Sequence, residues 1–576
     1  MARRYSTNLT ASFTNSPTAG LGLIGLLTGL AAIVGCGTSD PQPPTPSPAG
    51  GGEDPPAIDE PPGDKPDWPH VTEVNLPVNG ASLWTYVSLP ENLSAAAPIL
   101  VERTPYLAEG YLSTYEKRAA AYNGRGYGYV LQAVRGTFRS SGEFLPYATE
   151  TEDGAALVSW TLQQPWCNGQ VGTIGCSYPG YCALAAAAGD ARVRAVFADG
   201  PVESDAFELE GGLPSLGSLS WLYYIKKGID LPDTELSNAT NALKVRTLDE
   251  ELLGQKAPIW QDIVADPTPT APWLDQLGIG KRYGDICSPV LVADSGERGS
   301  HWVWRHLFER GCVEAQDSYR LLFQPGLHCA PSKHLIEDPS GPEGEAIWSF
   351  LDHHLRGAAP SSSWASKVLY RTAAGEPLTP GDTFPPPSTE LSLYLHAIDG
   401  EYGGDLSSTD PGEAFAAEFP VDPESTDACT SKWQLLYTSA PFASTQTIVD
   451  RPRLVFWGAS DRVDADFFAL AYVVETEEIF FSGGIRARYR TGYESPIALT
   501  PGEPAELEIL GRRMAATRVQ EGQRVALMLR GDLCGYVENP HTGEPLGDAT
   551  QRLISNHAVH TGPATPSRLV LSVVEP

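Results

Sequence analysis

A chain of 576 residues is too long to fold around one hydrophobic core, so two or three domains are expected. A hydrophobic share of 41% against 19% charged residues belongs to a folded protein, and a formal net charge of -31 argues against nucleic-acid or anionic-membrane binding through a basic face. No C-x-x-C or His/Cys cluster has metal spacing, which argues against a zinc enzyme.

The first residues read as a leader. Arg3 and Arg4 start a positive segment, Leu21–Val34 is apolar, and Ile33-Val34-Gly35-Cys36 has the form of a bacterial lipobox. Cleavage would remove residues 1–35 and leave a lipid on Cys36, the apolar run being short for a membrane span. Residues 36–69 are rich in Pro, Gly and acids and read as a tether. The expectation is an exported lipoprotein, anchored at a bacterial membrane through its lipid or secreted. Eight cysteines remain after Cys36, an even count that suits disulfides in an oxidising compartment without revealing their pairing.

Val71–Pro90 alternates apolar and polar residues around Asn79-Gly80, a hairpin signal. Ala97–Val101 reads as a buried strand, Tyr111–Asn123 as a helix, Gly128–Ala133 as a strand and Glu152–Leu162 as a helix. Such alternation predicts a mainly parallel sheet with helices on both faces. From Pro201 to about Asp285 strand signals fade, and Trp221, Tyr223, Tyr224, Trp260 and Trp273 sit among short helical patterns. This segment is expected to cap the sheet, its aromatics offering an apolar acyl or aryl pocket. Strands resume at Pro289–Ala293 and Tyr319–Phe323, and Glu345–Gly357 is an amphipathic helix. Beyond Ala358 only short strands remain, such as Leu391–His396 and Gln523–Arg530, which predicts a β-sandwich or jelly roll.

Chemistry concentrates at Gly175-Cys176-Ser177-Tyr178-Pro179-Gly180, between the strand Val171–Ile174 and an alanine-rich helix. This is the layout of a nucleophile elbow, with Gly175 required by the tightness of the turn and Ser177 at its apex. The serine stands at a helix N-terminus, where backbone N–H groups favour developing negative charge. Asp294 and Glu297 follow one later strand and His328 follows the next, in the order nucleophile, acid, base that α/β-hydrolases use. An imidazole must take the serine proton and a carboxylate must orient the imidazole. His334 is the fallback for the base and His301 a third choice.

The chain resembles the cocaine-esterase/glutaryl-acylase (CocE/NonD) serine hydrolases, related to X-prolyl dipeptidyl peptidases and α-amino-acid ester hydrolases. The resemblance runs from about Val71 to the C-terminus. It is carried by Arg103-Thr104-Pro105-Tyr106, Arg135-Gly136-Thr137, Gln164-Pro165-Trp166, the Ser177 motif, Pro325-Gly326-Leu327-His328, Arg486-Ala487-Arg488-Tyr489-Arg490 and Asn539-Pro540-His541-Thr542-Gly543. It implies an α/β-hydrolase doubly wound sheet over 70–200 and 286–358, an inserted helical cap over 201–285 and a C-terminal β jelly roll over 359–576. It also implies Ser177 as nucleophile, His328 as base, and an oxyanion hole made by the Tyr106 hydroxyl and the Tyr178 backbone N–H. The acid departs from the family, which carries Gly-Trp-Tyr-Asp where this chain has Asp294-Ser295-Gly296-Glu297. Glu297 is favoured, with Asp294 as the alternative. The implied reaction is acyl transfer on a small-molecule ester, an amide or a peptide, with no metal or organic cofactor. An X-Pro peptidase would need an acid for the substrate amine, for which Glu203, Asp205, Glu208 and Glu210 are available. A different class of function competes: a catalytically impaired surface lipoprotein that binds carbohydrate or a partner through the jelly roll.

Overall fold

The computed structural model describes residues 70–91, 93–202, 209–240, 242, 245–296, 301–373, 376–398, 402–421 and 433–574. The expected leader, Cys36 and the expected tether lie outside them, as do Glu297, Glu203, Asp205 and Glu208. Among the described residues no helix is long and apolar enough to cross a membrane.

Ten strands make the first sheet: β1 Val71–Val78, β2 Ala81–Ser88, β3 Ala97–Thr104, β4 Gly128–Ala133, β5 Cys167–Cys176, β6 Ala195–Asp199, β7 Val290–Asp294, β8 Arg320–Phe323, β9 Val368–Tyr370 and β10 Thr379–Gly381. Their spatial order is β1-β2-β4-β3-β5-β6-β7-β8-β9-β10. From β4 to β9 every pairing is parallel, while β1, β2 and β10 add antiparallel edges. The β1–β2 hairpin turns at Asn79 and Gly80, both with positive φ (44° and 80°), as a type I′ turn demands.

Both faces of this sheet are covered, which explains the near-continuous apolar strands. Ile99, Val130, Val196 and Val292 face the helices Glu150–Leu162, Tyr178–Gly189 and His301–Arg310. Their neighbours Leu100, Leu131, Phe197 and Leu291 face Leu112–Gly124 and Pro342–Arg356. Period-two alternation thus splits one strand between two cores.

Two expectations need correction here. The jelly roll was expected to begin at residue 359, but β9 and β10 extend the first sheet to Gly381, β9 pairing in parallel with β8. These strands have three residues each, so they carry no legible alternation. The aromatics of the inserted segment also do not act as a set. Trp260 is fully buried with its indole N–H on the Val245 carbonyl, and Trp273 donates to the Asp266 carbonyl, so both hold the segment's own loops.

The inserted segment consists of short helices, among them Gly217–Lys227, Asp233–Thr240 and Pro258–Ala265. It is fastened to the second domain as well as to the sheet. Leu216 N–H donates to the Gly535 carbonyl (2.8 Å), Val537 N–H to Pro214 (3.0 Å), and Arg552 reaches the Ala242 carbonyl (2.7 Å).

Among the described residues the second domain is a twelve-stranded, mostly antiparallel sheet system without a closed barrel, organised on the long strand Gln446–Ser460. Phe419, Phe456, Phe467 and Tyr437 fill its core. A buried polar knot supports it: Arg486 holds Asp466 by two bonds of 2.8 Å, Arg488 holds Asp464 (2.7 Å), and the Asn539 amide donates to both carboxylates. The Arg486 and Asn539 motifs are therefore scaffold.

Candidate active site

β5 ends at Cys176, and the next residue turns the chain into the helix Tyr178–Gly189. Ser177 has φ 64° and ψ −129°, a strained conformation for a residue with a side chain, costing on the order of 1–3 kcal/mol. The surroundings enforce it. Ser177 N–H donates to the Asp199 carbonyl (2.9 Å), and the Ser177 carbonyl accepts from Tyr181 (3.0 Å). A Cβ on Gly175 would lie 2.4 Å from the Pro179 carbonyl, and one on Gly180 only 3.1 Å from the Gly175 oxygen. The spacing G-x-S-x-x-G is thus set by two close backbone approaches.

Tyr178 is fully buried and clamps the turn from below. Its hydroxyl donates to Glu150 Oε1 (2.6 Å) and accepts from the Tyr147 N–H (2.8 Å). Burial pushes the Glu150 carboxyl above its ordinary value, opposed by Arg103. Arg103 in turn donates to Gln132 and to the Glu150 carbonyl, and Arg135 grips Asp153 (2.6 Å). Arginines of the first two family motifs therefore position other residues.

Tyr106 is reached through the inserted segment. Its N–H is fixed by Thr104 Oγ1 (3.1 Å), and its hydroxyl oxygen accepts the Trp221 indole N–H (3.2 Å). Since an indole can only donate, any bond in which the Tyr106 hydroxyl is donor lies on its other side. Trp221 also packs on Tyr178, ring centroids 5.3 Å apart, and on Phe144 (5.7 Å), while Tyr224 tilts against Tyr106 (6.4 Å). Among the described aromatics of the segment, Trp221 and Tyr224 reach this site.

His328 lies in the loop after β8, half-buried. A disulfide joins Cys176 to Cys329, their Cα atoms 5.6 Å apart, so it links the residue before Ser177 to the residue after His328. A ring nitrogen of His328 and the two sulfurs all lie within 4.8 Å of one another. His334 instead faces Asp338, Arg371 and Glu337, and burial lowers its pKa. His301 opens the helix His301–Arg310.

Asp294 ends β7, is 1% exposed, and accepts the Gly296 N–H on Oδ1 (2.7 Å). That bond caps the turn leading towards Glu297. Glu210, a candidate for the substrate amine, is held in two hydrogen bonds by Arg451 (2.6 and 2.8 Å) and is committed to the domain contact.

Asp199 escaped the reading of the sequence. It closes β6, between the Ser177 strand and the Asp294 strand, and is fully buried. Its Oδ2 accepts the Ser332 N–H (2.7 Å) from the helix that follows His328. Burial raises its carboxyl to about 7, with the Asp294 charge adding to the shift and the Ser332 bonds opposing it. The signal was a strand-terminal acid immediately downstream of the elbow helix, but its meaning depends on the sheet order.

Two clusters bring metal-ligand atom types together among the described residues, Cys176/His328/Cys329 and Cys287/Cys312/Glu314. Each contains both halves of a disulfide, so neither offers thiolates while oxidised. A cavity of about 240 Å³ touches Asp294, Trp302, Phe323, Phe384 and Arg451, and neither Ser177 nor His328 lines it.

Two family models match the chain. X-Pro dipeptidyl-peptidase (S15 family) covers residues 79–330, and X-Pro dipeptidyl-peptidase C-terminal non-catalytic domain covers 364–570. Cocaine esterase of Rhodococcus sp. (strain MB1 Bresler) is 24% identical over 544 residues, spanning 83% of this chain and 94% of that protein. An aminopeptidase from a marine sediment Thaumarchaeota archaeon superposes with a TM-score of 0.72 at 18% identity, over 88% of this chain and 96% of that one. An α-amino acid ester hydrolase gives 0.71 at 19% identity, over the same shares. These two structural matches speak for a shared fold.

Proposed function

The chain belongs to the CocE/NonD group of serine hydrolases, the kin of the X-Pro dipeptidyl peptidases, and from that premise we propose that it cleaves an ester or amide through a Ser177 acyl-enzyme. The observation that carries this reading is the strained Ser177 turn at a helix N-terminus, bound covalently to the His328 loop. In this mechanism His328 takes the Ser177 proton as the hydroxyl attacks the substrate carbonyl. The Tyr106 hydroxyl and the Tyr178 N–H stabilise the oxyanion, each contributing on the order of 3 kcal/mol. His328 then protonates the leaving group and activates water to release the acyl group. Glu297 orients the imidazole, with Asp294 as the alternative: Asp294 is buried and already engaged by its own turn, whereas Glu297 has the longer reach.

The aromatic wall of Tyr106, Trp221, Tyr224 and Phe144 favours an apolar acyl or aryl group beside the serine. The capture of Glu210 by Arg451 removes one of the four acids offered for a peptide amine. The test is turnover of p-nitrophenyl acetate and Ala-Pro-p-nitroanilide by the wild type, Ser177→Ala, Glu297→Gln and Asp294→Asn. Loss of ester turnover in Ser177→Ala and Glu297→Gln supports the triad, and anilide turnover moves the substrate to peptides. A wild type silent on both, and inert to a fluorophosphonate, would reject the reading. We also propose export and lipidation at Cys36, tested by whether Cys36→Ala abolishes incorporation of labelled fatty acid in a bacterial host.

A further inference from the structure

We propose that Cys176 and Cys329 are positioning residues for the reaction: their disulfide holds the base loop in register with the nucleophile turn. The inference rests on Ser177 and His328 having the roles given above.

Sheet order sets the distance that such a tie spans. β5 leads into Ser177 and β8 precedes His328, and β6 and β7 lie between those strands. The loop must therefore reach back across two strands. Little in the loop itself fixes that reach. Leu327 is 72% exposed, and a Cβ on Gly326 would meet only Ala330, at 3.8 Å. The helix after the loop, Ala330–His334, has five residues. Among the described residues, the disulfide and the Ser332 N–H on buried Asp199 moor the stretch to the elbow side. The disulfide is the one adjacent to both reacting residues. Cys329 also adopts a left-handed backbone (φ 66°), which a residue with a Cβ adopts at a cost and which here accompanies its bond to Cys176.

A catalytic pair must be held to within roughly 0.5 Å, and a misplacement of about 1 Å can cost on the order of 100-fold in rate. Loss of a staple that merely restricts the unfolded chain would instead lower the melting temperature and leave kcat unchanged. Another disulfide, Cys287–Cys312, supplies that comparison, since its cysteines flank neither Ser177 nor His328.

The experiment measures kcat, KM and the pH profile of p-nitrophenyl acetate hydrolysis by the full chain at 25 °C. It compares the wild type, Ser177→Ala, the double variant Cys176→Ala/Cys329→Ala and the double variant Cys287→Ala/Cys312→Ala. Each protein is assayed with and without dithiothreitol. Two thiols of the reagent close to its cyclic disulfide, and their two electrons and two protons convert Cys176–Cys329 to two thiols. The expected result is a fall in kcat of about 10- to 100-fold for Cys176→Ala/Cys329→Ala, KM within about twofold, and an altered pH limb. Dithiothreitol should reproduce that fall in the wild type and in Cys287→Ala/Cys312→Ala, should add nothing to the Cys176→Ala/Cys329→Ala variant, and should be reversed by reoxidation. Should that variant fail to fold, the reduced wild type decides, its fold checked by near-UV circular dichroism and its thiols counted by mass. An unchanged kcat with both thiols free, or a loss confined to KM, overturns the proposal. Activity retained in Ser177→Ala would overturn the underlying site reading instead, and the two failures are distinguishable.

Discussion

Replacing Asp199 with asparagine should remove a pH-dependent penalty on folding. The carboxyl titrates near 7 in the folded chain against an ordinary 3.8, chiefly because it is buried. Below about pH 4 it is protonated whether the chain is folded or unfolded, and no penalty arises. Between about 4 and 7 the unfolded chain has lost the proton while the folded chain retains it, so stability falls as pH rises. Above about 7 both forms are ionised and the penalty is constant. About three pH units separate the two titrations at roughly 1.4 kcal/mol each, which bounds the effect at about 4 kcal/mol, of which about 3 falls between pH 5 and pH 8.

Asparagine keeps an oxygen for the Ser332 N–H and leaves the backbone carbonyl that holds Ser177 untouched. The variant should therefore match the wild type most closely at low pH and exceed it at pH 8. For a domain of this size, thermal midpoints move roughly 1.5 °C per kcal/mol, so the variant-minus-wild-type difference should grow by roughly 4–5 °C from pH 5 to pH 8. Parallel midpoints across that range would refute a raised carboxyl at this position. A widening gap in the opposite direction would mean that Asp199 is stabilised as the anion.

Tyr106→Phe should lower kcat by about 100- to 1,000-fold with little change in KM, read from ester turnover, because one oxyanion donor is lost. Trp221→Phe keeps the ring against Tyr178 and removes only the N–H on Tyr106; a loss nearer tenfold in kcat is expected, and an effect on KM alone would place Trp221 in substrate binding. Arg486→Met leaves Asp466 buried with its arginine gone and should cost about 3–5 kcal/mol, seen as a large fall in the melting temperature. Gly175→Ala places a methyl against the Pro179 carbonyl and should abolish fluorophosphonate labelling even where the protein remains soluble.

How much of this was legible in the sequence depends on the range of the interaction that decides each feature. The elbow is decided within six residues, by a glycine with no room for a Cβ and a serine forced to positive φ, and a six-residue motif carries that information. The doubly wound sheet was legible because strands covered on both faces read as short apolar runs. β9 and β10 were not, since three-residue strands owe their pairing to β8 and to nothing in their own pattern. Trp260 and Trp221 look alike in the chain; one caps its own loop and the other reaches Tyr106, a difference made only by tertiary contacts.

The same reasoning explains why the elements closest to the chemistry were the hardest to read. Asp199 is unremarkable until the sheet order sets it between the strands of Ser177 and Asp294, where burial changes its titration. Cys176 and Cys329 could each be seen beside a reacting residue, but eight cysteines leave the pairing open until β5 and the β8 loop are brought together. A motif specifies which atoms react. The fold specifies how closely they are held, and in this chain that task falls to a disulfide and a buried acid on neighbouring strands. The two devices differ in what would release them, a reductant in one case and in the other a substitution that removes the acceptor, Asp199→Ala. Applied separately to one protein, they separate the covalent tether from the hydrogen-bonded one: if only the reductant lowers kcat, the Ser332–Asp199 bond supports the fold and the disulfide alone sets the geometry of catalysis.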